Sequence, residues 1–206
     1  MLQRSKDCNE KSDEEIVKLA LVESAYYLYL MKRYEKKLMR YIIRLSGLGQ
    51  EDAEDILQEV FIKVYKNLND FDATFSFSSW IYRITRNETI SDFRKRSARP
   101  ATVCVEDNDF LLEKISADDD MLENIDRASA GEIVRDAISR LDEKYRDVLI
   151  LRFIEDKNYH EMADILEKPE GTIATLINRA KERLKKEMQS QREQEIIAYM
   201  FRHNYD

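Results

Sequence analysis

The chain is poor in residues that interrupt helices and in residues that build covalent or metal frameworks: four glycines, two prolines, two cysteines and two histidines in 206 residues. So little Gly and Pro weighs against the tight turns and many short strands of a sandwich or barrel. Cys8 and Cys104 are far apart and form no metal-ligand pattern, so both are expected as reduced thiols outside any disulfide framework. No apolar run reaches the roughly 18 residues needed to cross a bilayer, and Met1 to Asp7 lacks the apolar core of a signal peptide. The expectation is a cytoplasmic protein without membrane insertion.

Catalytic constellations are also missing. His160-Glu161 looks like the opening of a zinc-protease helix, but position 164 is Asp164 and the other histidine is His203. Gly47-Leu48-Gly49 has neither a third glycine at the required spacing nor a preceding strand, so it is not a phosphate-binding loop. Nothing pairs a nucleophile with a base. The expectation is no enzyme, no metal and no cofactor.

What the chain has is charge and apolar residues at helical spacing: 36% charged and 43% hydrophobic. The expected fold is all-α, with two small helical domains joined by an acidic linker and a helix-turn-helix in the second. The net charge of -7 conceals an uneven distribution. Residues 101–136 hold eleven acids and three bases, a net -8, so the rest of the chain nets about +1. Tyr82 to Arg99 and Lys168 to Lys186 each hold six bases and two acids. Two basic segments therefore flank one acidic segment, whose weak periodicity and Asp118-Asp119-Asp120 run mark it as an extended linker.

Along the chain, Ser12-Asp13-Glu14-Glu15 is a capped helix start, with Ile16, Leu19, Ala20 and Leu28 continuing at helical spacing toward Tyr34. A second helix is expected from Tyr34 to Leu45, ended by Gly47-Leu48-Gly49. After Glu51-Asp52, Ala53, Ile56, Leu57, Val60, Phe61, Val64 and Leu68 define one face of a strongly amphipathic helix, expected over Asp52 to Asn67. Asn67 to Ser79 reads as a loop, and Trp80, Ile81, Ile84, Ile90 and Phe93 resume the helical period. Past the acidic stretch, Ile133, Val134, Ala137, Ile138 and Leu141 form one face, and Asp142 is placed to cap a helix using Tyr145, Val148, Leu149 and Phe153. Helices from Tyr159 to Leu166 and from about Glu170 to Met188 follow, joined by residues 167–171 in helix-turn-helix fashion. Ile196, Ile197, Tyr199, Met200, Phe201 and Tyr205 give the C-terminus an apolar character suited to an extra helix.

Three surfaces stand out. Asp55, Gln58, Glu59, Ile62 and Lys66 recur at spacings of three and four, which makes Ile62 an outward apolar residue among polar ones. That face is either a solvated one with a stray apolar residue or a helix-docking site. Phe71, Phe75, Phe77, Trp80, Tyr82 and Phe93 interleave with Arg83, Arg86, Arg94, Lys95 and Arg96; they suit core packing or an unstacked strand with cations on its phosphates, and Phe75 and Phe77 are expected where backbone is exposed. Thr172, Ala174, Thr175, Asn178 and Arg179 lie opposite Ile173, Ile177, Ala180 and Leu184, with Lys181, Arg183, Lys185 and Lys186 close by. This is either an ordinary helical hairpin or a helix that enters a major groove with lysines on the phosphates.

Asp52-Ala53-Glu54-Asp55-Ile56-Leu57-Gln58-Glu59-Val60-Phe61, then Phe71-Asp72, Trp80-Ile81-Tyr82-Arg83-Ile84 and Arg86-Asn87, resemble the second conserved region of extracytoplasmic-function sigma factors of the sigma-70 family. Leu141 to Leu151 with Tyr145-Arg146, His160-Glu161-Met162-Ala163 and Pro169-Glu170-Gly171-Thr172-Ile173 resemble the fourth region of the same family. The resemblance implies a region 2-like domain over 12–100, an acidic linker over 101–131, a region 4-like helix-turn-helix domain over 132–188 and a C-terminal extension over 189–206. It implies that Asp52, Asp55, Gln58, Glu59, Ile62 and Lys66 dock on the coiled coil of the largest subunit of core RNA polymerase. It further implies that Phe71, Asp72, Phe75, Ser76, Phe77, Ser79, Trp80, Arg83, Arg86, Asn87, Lys95 and Arg96 melt and read the minus-ten promoter element. Tyr159, His160, Thr172, Ala174, Thr175, Asn178, Arg179, Lys181 and Lys185 would serve the minus-thirty-five element, with the polymerase flap beside them. An anti-sigma factor is a further partner that the resemblance admits, and the free protein is expected to be a monomer. Ala174 and Leu176 stand near positions where the family usually carries arginine or another bulky polar residue, which leaves the upstream element open. Two other functions fit parts of the pattern: a helix-turn-helix regulator acting without polymerase, and a helical adaptor that binds proteins alone.

Overall fold

A computed structural model describes the backbone of residues 10–96 and 137–203, with side chains for 10–95 and 137–190. Every element among these residues is helical, and they form two compact units. The linker 101–131, the expected domain ends at 97–100 and 132–136, and the side chains of Arg96 and the apolar tail lie outside the described residues.

The first unit opens with α1, Asp13–Val22, through a reciprocal cap. The Glu15 N–H donates to Ser12 Oγ (3.2 Å) while the Ser12 N–H donates to Glu15 Oε2 (2.8 Å). Helical spacing does not continue from α1 into Leu28 as expected. The chain turns extended at Glu23, passes through a 3-10 turn at Ser24–Tyr26, and α2 runs over Tyr27–Ser46. The expected start of that helix at Tyr34 is thus seven residues late. The reason is tertiary: Tyr27, Leu30, Tyr34, Leu38, Tyr41 and Leu45 form a buried stripe with its own phase, and Leu28 is exposed. Tyr27 Oη donates to the Phe61 carbonyl (2.7 Å), which fixes the start of α2 on the next helix.

Gly47, at φ 71°, ends α2 in the left-handed conformation that glycine adopts without steric cost. Leu48 tucks inward, and α3 runs over Gln50–Lys66 with Ala53, Ile56, Leu57, Val60, Phe61 and Val64 buried. A 3-10 turn at Leu68–Asp70 and a short loop lead into α4, Phe77–Arg96. Helices α2, α3 and α4 pack on one another, and Tyr41 meets Tyr82 at 5.1 Å between ring centroids. Thr85 and Thr89 are buried, but their hydroxyls donate back to the Ile81 and Thr85 carbonyls at 2.8 Å, so neither costs the core an unmet donor.

In the second unit, residues 137–140 are helical and α5 spans Glu143–Leu149. Asp142 occupies the N-cap position, but its side chain makes no capping bond and lies 3.9 Å from Arg183 instead. The joint is secured by Arg146, whose guanidinium donates to the carbonyls of Ser139 (2.8 Å) and Leu141 (3.1 Å). A π-helical turn at Ile150–Ile154 follows, buries Ile150, Leu151 and Phe153, and is closed by the Glu155 N–H to the Ile150 carbonyl (3.0 Å). Next in the chain, α6, Tyr159–Leu166, buries Met162, Ile165 and Leu166, and His160–Lys168 group with the first unit rather than the second. Glu167 takes φ 52° in the turn at 167–169, and the Pro169 carbonyl accepts from Thr172 and Ile173 as α7 begins at Glu170. Glu170 and Gly171 therefore belong to the helix rather than the connection. Helix α7 does not stop at Met188: it is continuous to His203, so the C-terminal extension prolongs this helix instead of forming a separate one.

Candidate nucleic-acid and partner-binding surfaces

On α3, the residues opposite the buried face are the ones that the spacing selects. Asp55, Gln58, Glu59 and Lys66 are exposed, Asp52 is half-buried, and Ile62 is 45% exposed in their midst. Tyr65, one turn from Ile62, is a further exposed apolar side chain that spacing alone passed over. Beside this stripe an open groove of about 270 Å³ lies between α3 and α4. Asp55, Glu59, Glu88 and Asp92 line it with Lys63 and Lys95, and the Lys63 ammonium pairs with Glu88. The exposed stripe of α3 therefore has an acidic margin.

The loop at 71–76 is a compact turn between two fixed ends. Asp72 Oδ1 accepts from the Thr74 N–H (2.9 Å), and the Phe75 N–H donates to the Asp72 carbonyl (3.1 Å). Bonds from the Thr74 backbone and hydroxyl hold the Asp72 carboxyl below its usual range. Phe75 is 45% exposed and projects from the turn. Phe77 does not: it is 0% exposed, the expectation of an exposed ring there is corrected, and Ser79 is likewise buried. The reason is a cluster in which Phe77 packs against Tyr34 (5.6 Å), Phe71 (5.5 Å) and Trp80 (5.7 Å), while Phe71 and Trp80 meet at 5.3 Å. Phe71 and Trp80 keep part of their surface open. Tyr82, another of the interleaved aromatics, is core.

Ser76 caps α4, its Oγ accepting from the Ser79 N–H at 3.0 Å. A second anchor comes from α1, where Glu14 Oε1 accepts from the Phe77 N–H at 3.1 Å. Burial works to raise the Glu14 pKa, but bonds from Phe77, its own backbone and Ser12, with Arg33 nearby, hold it below the usual value. Nothing in sequence spacing links residues 63 positions apart. Along α4, Arg83 and Arg86 are half-buried while Asn87 and Lys95 are exposed.

On α7, Ile173, Ile177, Ala180 and Leu184 are buried, and Thr172, Thr175, Asn178, Arg179 and Lys185 are exposed, with Ala174 and Lys181 half-buried. Thr175 Oγ1 donates back to the Gly171 carbonyl (2.9 Å), which leaves its methyl and lone pairs for the surface. Lys181 sits 5.5 Å from the centre of the Phe153 ring, a cation–π contact that ties it to its own unit. Tyr159 and His160 are exposed, and Tyr159 faces the Arg152 guanidinium at 5.6 Å. Among the described residues no helix is long and apolar enough to cross a membrane, and no group of three His, Cys, Asp or Glu residues is placed to hold a metal.

Comparison with known proteins accounts for both units. Residues 30–99 match Sigma-70 region 2 and residues 131–184 match Sigma-70, region 4. The chain is 33% identical to the ECF RNA polymerase sigma factor SigW of Bacillus subtilis, over 75% of this chain and 84% of that one. It is 32% identical to the RNA polymerase sigma-H factor of Pseudomonas aeruginosa, over 78% and 84% respectively. In fold it is similar to the sigma factor RpoE of Bartonella quintana, solved with the anti-sigma factor NepR: TM-score 0.61 and 21% identity, over 79% of this chain and 96% of that one. The two matched regions and these identities place the chain in the sigma-70 family, as an RNA polymerase sigma factor of the extracytoplasmic-function group.

Proposed function

We propose that the chain joins core RNA polymerase through the exposed stripe of α3, reads and opens the minus-ten element with the 71–76 loop and α4, and reads the minus-thirty-five element with α7. It works in the cytoplasm and catalyses no reaction itself; the chemistry of RNA synthesis stays with the polymerase. Ile62 carries this reading: an apolar side chain 45% exposed at the centre of Asp55, Gln58, Glu59 and Lys66 suits a docked helix. A regulator acting without polymerase has no need of that stripe, and a protein-only adaptor has no need of two basic helices.

On the nucleic-acid side, Phe75 offers a ring to an unstacked base, Phe71 and Trp80 are partly open in the same segment, and Arg83, Arg86, Asn87 and Lys95 lie along α4 for the strand. From α7, Thr172, Ala174, Thr175, Asn178 and Arg179 are offered to base edges and Lys185 to a phosphate, and Tyr159 and His160 of α6 are offered to the sugar-phosphate backbone. The groove and acidic margin of α3 are also a surface that an anti-sigma factor would cover to block the polymerase.

The test is reconstitution with core polymerase. Ile62→Asp and Glu59→Arg each weaken association, by about 2 kcal/mol or more if the residue is a hot spot, and leave helicity unchanged. Binding of both variants at wild-type strength rules the docking stripe out.

A further inference from the structure

Helix α1 lies outside both matched regions, yet its first turn is tied to the base-capturing loop. Its Asp13 carboxylate is held by Arg33 and Tyr34 of α2, and Arg33 also donates to the Lys11 carbonyl at 3.2 Å. The first turn of α1 is thus fixed on α2 before Glu14 reaches across to α4. The Phe77 N–H that Glu14 accepts sits where the loop enters the helix, two residues from the exposed Phe75. The loop's other end is fixed by the Phe71 ring in the aromatic cluster and by the Phe71 N–H to the Leu68 carbonyl (3.3 Å).

We propose that Glu14 is a positioning residue for promoter reading, which anchors the first turn of α4 from α1 and so holds the 71–76 loop in the shape that receives an unstacked base. The proposal rests on the assignment of that loop to the minus-ten element. Ser76 already accepts from the Ser79 N–H and its carbonyl takes the Trp80 N–H at 3.1 Å, which leaves the Phe77 N–H, at the very start of the helix, for Glu14. What Glu14 adds is a tie to a separate element. A loop of six residues whose two ends are both fixed has little freedom left to lose when a base enters it, and that preorganisation appears as selectivity.

The experiment uses holoenzyme reconstituted from core polymerase and the full chain, probed with single-stranded DNA randomised over the downstream element. Enrichment of the preferred base over the other three at the loop-read position is the readout, with core affinity and thermal midpoint measured in parallel. Glu14→Ala lowers that discrimination roughly three- to ten-fold, the scale of one lost hydrogen bond, while core affinity is unchanged. Glu14→Asp, which keeps the charge but withdraws the oxygen from Phe77, behaves in the same direction and covers the case in which the alanine variant folds poorly. Glu14→Gln, which keeps an acceptor oxygen, retains most of the discrimination. Phe75→Ala is the control for the underlying assignment. If it loses discrimination while Glu14→Ala and Glu14→Asp keep it, or if the Glu14 variants weaken all sequences equally, Glu14 has no positioning role and the loop assignment stands. If Phe75→Ala itself discriminates like wild type, the loop assignment falls and the Glu14 proposal with it.

Discussion

Phe75 and Phe77 are two positions apart on one serine-rich segment, yet one projects from the turn and the other is sealed under it. The difference gives separable outcomes. Phe77→Ala removes a ring enclosed by Tyr34, Phe71 and Trp80 and lowers unfolding free energy by about 3 to 5 kcal/mol, read by denaturant titration. Phe75→Ala costs clearly less stability than this, because nearly half of its surface already stands in water, and shows its main effect on DNA instead. Glu14 gives a second outcome at this scale. Its folded-state pKa lies below the ordinary 4.5, so its contribution to stability is present above that value and is lost as pH falls through the lower folded value. Comparing the thermal midpoints of wild type and Glu14→Gln from pH 7 to pH 3 isolates this group: the gap is widest at neutral pH and narrows toward pH 3. A gap that stays constant or widens in acid contradicts the depressed pKa.

At the scale of elements, the sequence is legible where one face of a helix carries the information and illegible where a distant contact decides. The buried face of α3 and the outward position of Ile62 both follow from spacing within seventeen residues. The faces of α7 follow in the same way, with Ile173, Ile177, Ala180 and Leu184 inward. The break at Glu23 carries no such mark, since neither Gly nor Pro lies between Ile16 and Leu45, and it is set by Tyr27 reaching Phe61. Burial of Phe77 depends on Tyr34 from another helix, and the tie to Glu14 spans 63 residues, so neither could be read locally. The candidate minus-ten surface was therefore legible as a region but not in which of its aromatics face outward. Helix α7 also carries a testable specificity. It offers Asn178, the methyl of Thr175 and Ala174, but at most one cation, Arg179, in a base-reading position, which favours A·T pairs or groove shape over guanine. Asn178→Ala relaxes preference at one base pair by roughly 1 to 3 kcal/mol if its contact is bidentate, whereas Lys185→Ala lowers affinity for all sequences alike. Selection from randomised duplexes with holoenzyme decides it, and a G·C-rich upstream consensus indifferent to Asn178 means that another face of α7 reads the DNA.

For the molecule as a whole the relevant quantity is how the charge is distributed, because a chain of net -7 must approach a polyanion. The approach is possible because the acids are concentrated: 101–136 carries -8, while Tyr82 to Arg99, which takes in most of α4, and Lys168 to Lys186, which takes in the start of α7, carry +4 each. An acidic segment tethered between two basic helices would compete with DNA for them at high local concentration in the free chain. Promoter affinity in the holoenzyme depends less on it, since polymerase supplies its own contacts. Replacing Asp118, Asp119 and Asp120 with Asn should therefore raise the affinity of the free chain for non-specific duplex by a few-fold at low salt and make that affinity fall more steeply as salt rises. The gain should shrink near 0.15 M salt, where screening acts over about 8 Å. In the holoenzyme the same variant should alter the ratio of abortive to full-length transcripts more than promoter affinity, because a polyanion suits a channel built to hold nucleic acid. Fluorescence anisotropy with a labelled duplex across a salt series checks the first effect, and transcription from one promoter the second. Affinity equal to wild type at low salt means that the acidic segment does not compete for the basic helices, and unchanged transcript ratios mean that it does not act in the channel.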